Sequence, residues 1–421
     1  KFVYLEYVTL KNVLLGFPVK IKFALPTEII FNKPPGIIYK VYNNCLYFCF
    51  LNYFICFLYI TMAGFFDKEL IKNSIDYILI IGLLIITLYF IYSTIVSNRD
   101  NNPEMSPPTF VDTPNSYQRS ELQSIEDSKN GASITNTQFI SSNDNAIRHF
   151  CIKSSSDSAY TGKHMNLNMI KYLLGRGCRF LDFEVFIKDN IPIVAYSTNR
   201  QSLETFTSEA PAVSLAGVFS TIMSNAFTDT SPNPEDPLFI HLRIKTLDPN
   251  AYTKIAKLIK SGLGKKMLKD SNGDAVPLTL DTQLTSLQGK LAVIVDKHSS
   301  PGYQNYSTCS PDQTECFSLA NQVNMVSNSQ SIRTYYQRDL TFQPINPPDP
   351  SVYLFRIVLP DLGFFNSAKN SDATYLTKNY GAQVVAQAFY TKDSNLRIYE
   401  DMFKKNRSAF LRLETAIRHY E

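Results

Sequence analysis

The chain has 421 residues, of which 44% are hydrophobic and 19% charged, and its formal net charge is +4. This composition is typical of a globular protein, long enough for one large domain or two smaller ones. Residues 101–421 contain 32 Lys and Arg against 31 Asp and Glu. Because this part carries almost no net charge, it lacks the basic excess that suits a nucleic-acid backbone, and we expect no nucleic-acid partner.

The N-terminal segment, residues 62–96, is predicted to anchor the chain in a membrane. Residues 77–96 form a run of 20 residues without a charge, the length that a helix needs to cross a bilayer. Residues 1–61 precede the first methionine, Met62, and are interpreted as an upstream extension or an extra apolar segment. Two lysines precede the span and one arginine follows it, which favours a cytoplasmic N-terminus and places the rest of the chain across the membrane.

The next segment, residues 97–146, is predicted to be a disordered linker. It is rich in Ser, Asn, Asp, Pro and Thr, and its apolar residues follow no helical or strand period. A disordered linker of this length has an r.m.s. reach of roughly 40 Å, so the following domain would stay near the membrane without being fixed to it.

Residues 147–421 are predicted to form an α/β domain. Eight strand-like runs occur: HFCIK, RFLDFEVF, IPIVAY, LFIHLRIK, LAVIVDK, YLFRIVLP, AQVVAQAFY and AFLRL. Helix-like stretches lie between them, at His164–Leu174, Pro211–Phe227, Ala251–Leu263 and Leu396–Lys405. The alternation indicates a parallel sheet, and eight strands in this length fit a closed (β/α)8 TIM-like barrel. A doubly wound open sheet is the alternative, but the chain has no GxGxxG motif or P-loop.

Two of the strand-like runs carry charged side chains on one face only. In RFLDFEVF, Asp182 and Glu184 share a face, and in LFIHLRIK the same holds for His241, Arg243 and Lys245. The opposite face of each run is apolar, as expected for a surface that packs under the outer helices of a barrel. We therefore expect the charged faces to point into the barrel, toward the C-terminal mouth where barrel enzymes have their active sites.

Five motifs, in this order, resemble the catalytic domain of phosphoinositide-specific phospholipase C. They are SSSDSAY, GCRFLDFE, PIVAYS, PLFIHLRIK and YGAQVVAQAFYTKDSNLRIYEDMFKKNRSAFLRL. The resemblance implies an X half at about 150–298, a loop at about 299–350 and a Y half at about 351–413. It also implies a barrel that hydrolyses phosphoric diesters with the help of calcium.

The resemblance implies that both catalytic histidines are replaced. Their positions align with Asp157 and Tyr196. An ordinary aspartate is ionised at pH 7 and cannot donate a proton, and a tyrosine with a pKa of about 10 is a poor proton shuttle. Loss of a general acid or base typically costs ~10²–10⁴-fold in rate, so we predict a pseudoenzyme.

The calcium site that the family uses is also predicted to be lost. Its two acidic ligands align with Asp182 and Glu184, but two further ligand positions hold Ser158 and Arg243. A permanent cation at this place opposes calcium, which requires several oxygen ligands. We expect no cofactor, and we expect the guanidinium of Arg243 to lie at hydrogen-bond distance from the retained acids.

The sequence leaves two functions open. The first is a membrane-anchored pseudoenzyme that acts as a scaffold for an unidentified protein partner or binds membrane lipid. Arg243, Lys245 and His241 would then hold anionic phosphoinositide head groups, unless the neighbouring acids neutralise them. The second is an active, calcium-independent hydrolase of phosphatidylinositol or a glycerophosphodiester, with His164, His241 or the residues at the two lost histidine positions in new roles. A barrel enzyme acting on sugars would need a carboxylate pair free of cations, which Arg243 argues against.

Two further features bear on the compartment of the domain. Cys309 and Cys316 flank a polar loop and either form a local disulfide or remain reduced surface thiols. Asn305 and Asn406 begin N-glycosylation sequons, NYS and NRS, which matter only for a lumenal domain.

Overall fold

The computed structural model describes residues 2–4, 24–26, 87, 116–125, 134–139, 144–197, 212–246, 248–309, 316–342, 354–361 and 369–419. The chain divides into two units, residues 1–106 and 107–421. In the first unit, β1 (Phe2–Tyr4) pairs antiparallel with β2 (Ala24–Pro26). The predicted membrane span, residues 77–96, lies outside the described residues apart from Thr87. Within the described ranges, no helix is long and apolar enough to cross a membrane.

The second unit alternates strands and helices. Its strands are β3 (Phe150–Ile152), β4 (Ser154–Ser155), β5 (Phe180–Lys188), β6 (Ile191–Val194), β7 (Val213–Ser214), β8 (Leu238–Ile244), β9 (Leu291–Asp296), β10 (Ser307–Cys309), β11 (Cys316–Ser318), β12 (Met325–Ser327), β13 (Ile332–Tyr336), β14 (Phe355–Leu359), β15 (Val384–Val385) and β16 (Phe410–Arg412). Its helices are α1 (Ser116–Ile125), α2 (Leu167–Gly175), α3 (Leu215–Asn225), α4 (Pro249–Gly262), α5 (Gln337–Phe342), α6 (Ala373–Tyr380), α7 (Ser394–Asn406) and α8 (Leu413–His419).

Parallel strands form a barrel, as the sequence predicts. One run of parallel pairs joins β4, β5, β8, β9 and β12, and a second joins β13, β14 and β15. The strand β13 lies beside β12, and a parallel bridge between Ser155 and Gln387 returns the circuit to β4. This closed order excludes the doubly wound open sheet. Strands β3 and β16 pair antiparallel with each other.

The helices cover the apolar faces of the barrel strands. Helix α4 begins after Asp248, whose side chain accepts a hydrogen bond from Asn250 N, and Pro249 occupies its first turn. Ile255 and Ile259, four residues apart, bury the inner face of this helix. Helices α2, α3 and α4 contact one another in sequence order. The carboxyl ends of β5 and β8 therefore stay at one rim of a packed scaffold.

The sequence predicts the number of barrel strands but misidentifies some of them. The runs HFCIK, IPIVAY and AFLRL form β3, β6 and β16, which pair antiparallel and lie outside the parallel barrel order. Strands β4, β12 and β13 take their places, and none of the three was predicted. Two of these have two or three residues and contain serine, so they lack the apolar run on which strand prediction depends.

The structure differs from the predicted disordered linker over part of residues 97–146. Helix α1 packs on the barrel with Leu122 and Ile125 buried, and Ile134 is buried as well. The N–H of Thr137 donates a hydrogen bond of 2.7 Å to Asp236 Oδ1. Single apolar residues spaced along a polar segment give only a weak helical period in the sequence. Burial of these residues against the barrel nevertheless stabilises the segment in the fold.

Candidate functional site

The charged side chains of β5 and β8 meet inside the barrel, as the alternation predicts. The parallel register sets Asp182 beside His241 and Glu184 beside Arg243. All four residues are buried, with Asp182 and His241 at 0% exposure. Together with Lys245 and Asp157 they form the group that we call the mouth cluster.

Arg243 is the centre of the mouth cluster. Its Nε lies 2.9 Å from Asp182 Oδ1, and its Nη2 lies 2.6 Å from Asp182 Oδ2. Its Nη1 lies 2.6 Å from Glu184 Oε1, and its Nη2 also lies 2.9 Å from Asp157 Oδ1. The expected contact of the guanidinium with Asp182 and Glu184 is confirmed, and it also includes a third carboxylate, that of Asp157.

Two further groups complete the pairing of the acids. Lys245 Nζ lies 2.5 Å from Glu184 Oε1. His241 Nδ1 lies 2.8 Å from Asp182 Oδ1, and its Nε2 lies 2.9 Å from Ser327 Oγ. Because an ionised carboxylate only accepts hydrogen bonds, the Nδ1 of His241 carries the proton that it donates to Asp182.

The electrostatics of the mouth cluster favour an ionised Asp182 and a charged Arg243. Burial alone would raise the pKa of Asp182, but Arg243 and the hydrogen bond from His241 outweigh it and hold that pKa below its usual range. Burial also opposes the charge on Arg243, yet Asp182 and Glu184 raise its pKa well above the ordinary value. For Lys245, burial dominates and lowers the pKa, although Glu184 opposes the shift.

Asp157 differs from the other acids of the mouth cluster. Its side chain is 11% exposed, and its φ of 44° places it in the left-handed region, which costs a non-glycine residue ~1 kcal/mol or more. Burial raises its pKa to about 7, with Glu184 and Asp182 adding to the rise and Arg243 opposing it. This environment shifts the pKa of Asp157 upward from the ordinary aspartate value on which the sequence analysis relied.

Ser158 supports the loop that presents Asp157. It is fully buried, its Oγ accepts a hydrogen bond of 3.0 Å from Asp182 N, and it lies 2.6 Å from Ser155 Oγ. The N–H of Ser158 also donates to Asp182 O at 2.8 Å. Ser158 thus joins β4 to β5.

Tyr196, which stands where the resemblance implies a second histidine, belongs to a group of three tyrosines. Its ring stacks on that of Tyr160 with centroids 4.0 Å apart and planes 6° apart, and Tyr160 meets Tyr390 edge to face at 5.0 Å. Tyr196 is 1% exposed, and burial, followed by the charge of Asp157, raises its pKa. A neutral, stacked phenol is suited to packing and unsuited to proton transfer at neutral pH.

His164 takes no part in the mouth cluster. Its Nδ1 lies 2.6 Å from Glu121 Oε2 on α1, and Thr161 Oγ1 donates to the same oxygen at 2.8 Å. The sequence analysis considered His164 for an active site, whereas the structure uses it to hold α1 on the barrel.

The residues of the mouth cluster do not fit a calcium ion. Within the described ranges, no group of three or more His, Cys, Asp or Glu side chains is arranged to hold a metal. Asp182 and Glu184 already accept hydrogen bonds from Arg243, and Glu184 also pairs with Lys245. A divalent cation would have to displace a guanidinium that has the same sign of charge.

The sequence analysis missed Ser327 as the partner of His241, and Tyr160 and Tyr390 as partners of Tyr196. Tyr160 ends the SSSDSAY motif and Tyr390 ends the run AQVVAQAFY, so both stand after barrel strands, β4 and β15. Position after a strand was an available signal for these two tyrosines. Ser327 ends a strand of three residues that the sequence pattern did not reveal.

Comparison with known proteins agrees with the resemblance over the first half of the barrel. Residues 143–297 match the X domain of phosphatidylinositol-specific phospholipase C. The matched range contains every member of the mouth cluster and agrees with the predicted X half. It ends before the predicted Y half, about 351–413, which stays a prediction. A search of curated protein sequences gave no significant match.

Solved structures to which the chain is similar include two PLC21 proteins and a glycerophosphodiester phosphodiesterase. L. pealei PLC21 has a TM-score of 0.48 and 16% identity, and the match covers 63% of this chain and 37% of that one. S. officinalis PLC21 has a TM-score of 0.49 and 16% identity, with 65% and 38% covered. A glycerophosphodiester phosphodiesterase from Parabacteroides distasonis has a TM-score of 0.34 and 11% identity, with 60% and 98% covered. The chain thus spans less than two fifths of either PLC21.

Proposed function

We propose that this chain carries a catalytically inactive phospholipase C-like barrel that acts as a membrane-anchored scaffold. The observation that carries the proposal is the position of Arg243. Its guanidinium contacts three carboxylates, those of Asp157, Asp182 and Glu184, where the resemblance implies a calcium ion. The membrane attachment rests on the predicted span at residues 77–96.

The loss of proton transfer supports inactivity. Attack of the inositol hydroxyl on the phosphodiester requires a base, and departure of the diacylglycerol oxygen requires an acid. One histidine position holds Tyr196, whose pKa is raised by burial and which packs against Tyr160. Removal of either role typically costs ~10²–10⁴-fold, and this chain has Asp157 and Tyr196 at the two positions where the resemblance implies histidines.

The pairing of the cations supports a scaffold over a head-group binder. Arg243 and Lys245 are 5% and 3% exposed, and His241 is 0% exposed. Both permanent cations are bound to acids of the same cluster. An anionic head group would have to replace these carboxylates and would leave them buried without partners, which costs several kcal/mol. We therefore infer that the barrel offers its outer surface to a protein partner.

A turnover assay tests this proposal. The purified full chain is incubated with vesicles that contain phosphatidylinositol, once with calcium and once with a chelator, and released water-soluble inositol phosphates are measured. A calcium-dependent phosphatidylinositol phospholipase C on the same vesicles is the positive control. We expect release at the level of protein-free vesicles in both conditions, and calcium-dependent release would overturn the proposal.

One observation favours a second candidate, a calcium-independent phosphodiesterase. Asp157 is the acid nearest to solvent in the mouth cluster, and burial raises its pKa to about 7, the range suited to a general acid or base. Such an enzyme would cleave phosphatidylinositol or a glycerophosphodiester equally well with chelator present. Its rate would follow the titration of Asp157, and Asp157→Asn would abolish it. Release that survives both the chelator and this substitution would exclude both candidates.

A further inference from the structure

A disulfide closes an exposed hairpin on the barrel. Strands β10 and β11 pair antiparallel, and Cys309 and Cys316, which lie opposite each other, are covalently linked. Both cysteines are exposed to solvent. An exposed disulfide persists in an oxidising compartment and is reduced by the thiol buffers of a cytosol.

The other described cysteines have a different environment. Cys151 and Cys178 are free thiols, with exposures of 3% and 0%. Burial raises the pKa of each thiol to about 12, so neither forms the reactive thiolate at neutral pH. Within the described ranges, the exposed cysteines are thus oxidised and the free ones are protected from oxidation. This distribution suits a domain that folds outside the cytosol.

The loop before the hairpin presents a glycosylation sequon to solvent. Asn305, Tyr306 and Ser307 are all exposed. Tyr303, which is 2% exposed, anchors the preceding turn, and Tyr306 stacks on Tyr252 with ring centroids 5.7 Å apart. Asn305 lies between these two anchored rings in the sequence and is exposed to solvent.

The second sequon has its groups engaged within the fold. Asn406 Nδ2 donates to Met402 O at 2.8 Å, at the end of α7. Ser408 Oγ donates to Phe410 O at 2.8 Å, and it also accepts from the N–H of Phe410 at 3.1 Å. A glycan on Asn406 would break the first of these hydrogen bonds, so the two sequons form a natural pair for comparison.

We propose that Asn305 is an N-glycosylation site, modified in the oxidising compartment where the Cys309–Cys316 disulfide forms. The donor is an oligosaccharide linked to a polyprenyl diphosphate. The Nδ2 of Asn305 forms a bond to the anomeric carbon, the bond from that carbon to the diphosphate oxygen breaks, and the amide proton passes to a base of the transferase. The disulfide forms when the two thiols pass two electrons and two protons to a disulfide-bearing oxidoreductase, which becomes a dithiol.

This proposal is independent of the proposed function, since either an active or an inactive barrel can be modified. It agrees with the orientation that the sequence predicts, in which the N-terminus is cytoplasmic and the barrel lies across the membrane. It implies that any partner of the barrel belongs to a lumenal or extracellular compartment.

Translation of the full chain in the presence of endoplasmic-reticulum microsomes tests the site. We expect a slower-migrating form that an N-glycan-specific endoglycosidase converts back to the unmodified one. Asn305→Gln and Ser307→Ala remove this form, Ser307→Thr retains it because threonine also completes the sequon, and Asn406→Gln retains it as the matched control. Because the glycan is added during synthesis, this readout is preserved even in a variant that folds poorly.

Two outcomes would overturn the proposal. One is a chain that acquires no glycan in microsomes that modify a control secretory protein. The other is a glycan that Asn406→Gln removes and Asn305→Gln leaves in place. A second measurement, alkylation of the modified form under denaturing conditions, should label Cys309 and Cys316 only after a reductant is added. Labelling of both without the reductant would contradict the disulfide.

Discussion

The barrel has an ionic cluster at each end, and the two differ in burial and in the balance of charge. At the N-terminal end of the barrel strands, Arg176 donates hydrogen bonds of 2.7 and 2.5 Å to the carboxylate of Glu400. Lys153 Nζ lies 3.3 Å from Glu400 Oε1. We call these three residues the base cluster. It holds one acid and two cations, whereas in the mouth cluster three acids share two permanent cations and one histidine.

The pKa directions show what this difference means. Burial alone would raise the pKa of Glu400, but Lys153 and Arg176 outweigh it and hold that pKa below its usual range. In the mouth cluster the same burial raises the pKa of Asp157 to about 7. A purely structural ion pair needs no surplus carboxylate. The mouth cluster carries one acid more than its Arg and Lys cations, whereas the base cluster carries one cation more than its acid.

The largest effect is expected from removal of Arg243, the central cation of the mouth cluster. Arg243→Met leaves Asp182 and Glu184 with Lys245 and His241 alone, and breaking a buried pair from one side costs ~3–5 kcal/mol. We expect this loss in the free energy of unfolding of the full chain at pH 7. The measurement is urea unfolding followed by tyrosine circular dichroism, since the chain has no Trp.

The matched control for this substitution is Arg418→Met on α8, where the side chain is exposed. We expect a change within about 0.5 kcal/mol there. Equal stability of the Arg243→Met and control variants would mean that the mouth cluster contributes nothing to folding. That result would contradict the structural role of the retained acids.

Loss of the acid of the base cluster is the next test. Glu400→Gln keeps the shape of the side chain but leaves Lys153 and Arg176 close together without a negative charge. Hydrogen bonds to charged groups contribute ~1.5–3 kcal/mol, and we expect a loss of this size in the same unfolding measurement. Glu414→Gln, at an exposed position of α8, is the control. A variant as stable as this control would show that the base cluster is not what holds α7 to the barrel.

These clusters also show how much of the fold the sequence predicts. The alternation of charged and apolar residues in β5 and β8 is a local pattern, so it correctly places Asp182, Glu184 and Arg243 inside the barrel. Strands β12 and β13 depend on neighbours distant in the sequence. Their short segments carry no pattern of their own, and sequence reasoning missed them.

The site was predictable in its members and less so in its chemistry. The order of the motifs placed Asp157 and Tyr196 at the lost histidine positions, and the structure brings Asp157 to Arg243. The raised pKa of Asp157 could not be predicted, because it depends on burial and on the distances to two other acids. The stacking of Tyr196 on Tyr160 likewise joins two loops that the sequence separates by 35 residues.

Asp157, the third acid of the mouth cluster, leads to a prediction about how the stability of the fold depends on pH. Unfolded Asp157 ionises near pH 4, whereas the folded chain keeps its proton to about pH 7. Between these values the folded state binds more protons than the unfolded state, so this residue makes the wild type lose stability as the pH rises. The Asp157→Asn variant cannot ionise at this position, so it does not lose this stability as the pH rises. A single pKa unit corresponds to about 1.4 kcal/mol, and we expect the variant to gain at least that much relative to wild type from pH 4 to pH 8.

Unfolding of both proteins across this range checks the sign, with Asp229→Asn as a control for the loss of an exposed carboxylate. Because Asp182 contributes to the raised pKa of Asp157, the difference between wild type and variant reports the titration of the coupled acids. A relative stability that falls as the pH rises would mean that Asp157 is ionised in the folded state. The cations of the mouth cluster would then keep all three of its acids ionised, as Lys153 and Arg176 do for Glu400 in the base cluster.

The smallest effect is expected at the partly exposed pair that holds α1. The His164 and Glu121 side chains are 23% and 15% exposed, so solvent weakens their interaction relative to the buried mouth cluster. Glu121→Gln keeps an acceptor for Thr161 but loses the carboxylate, and we expect a global stability loss of about 0.5–1 kcal/mol. Because Leu122 and Ile125 still bury the helix, the change should appear chiefly as faster amide hydrogen exchange within α1. Glu235→Gln, exposed and outside α1, should leave that exchange unaltered. Equal acceleration throughout the barrel would show instead that α1 unfolds only together with the whole domain.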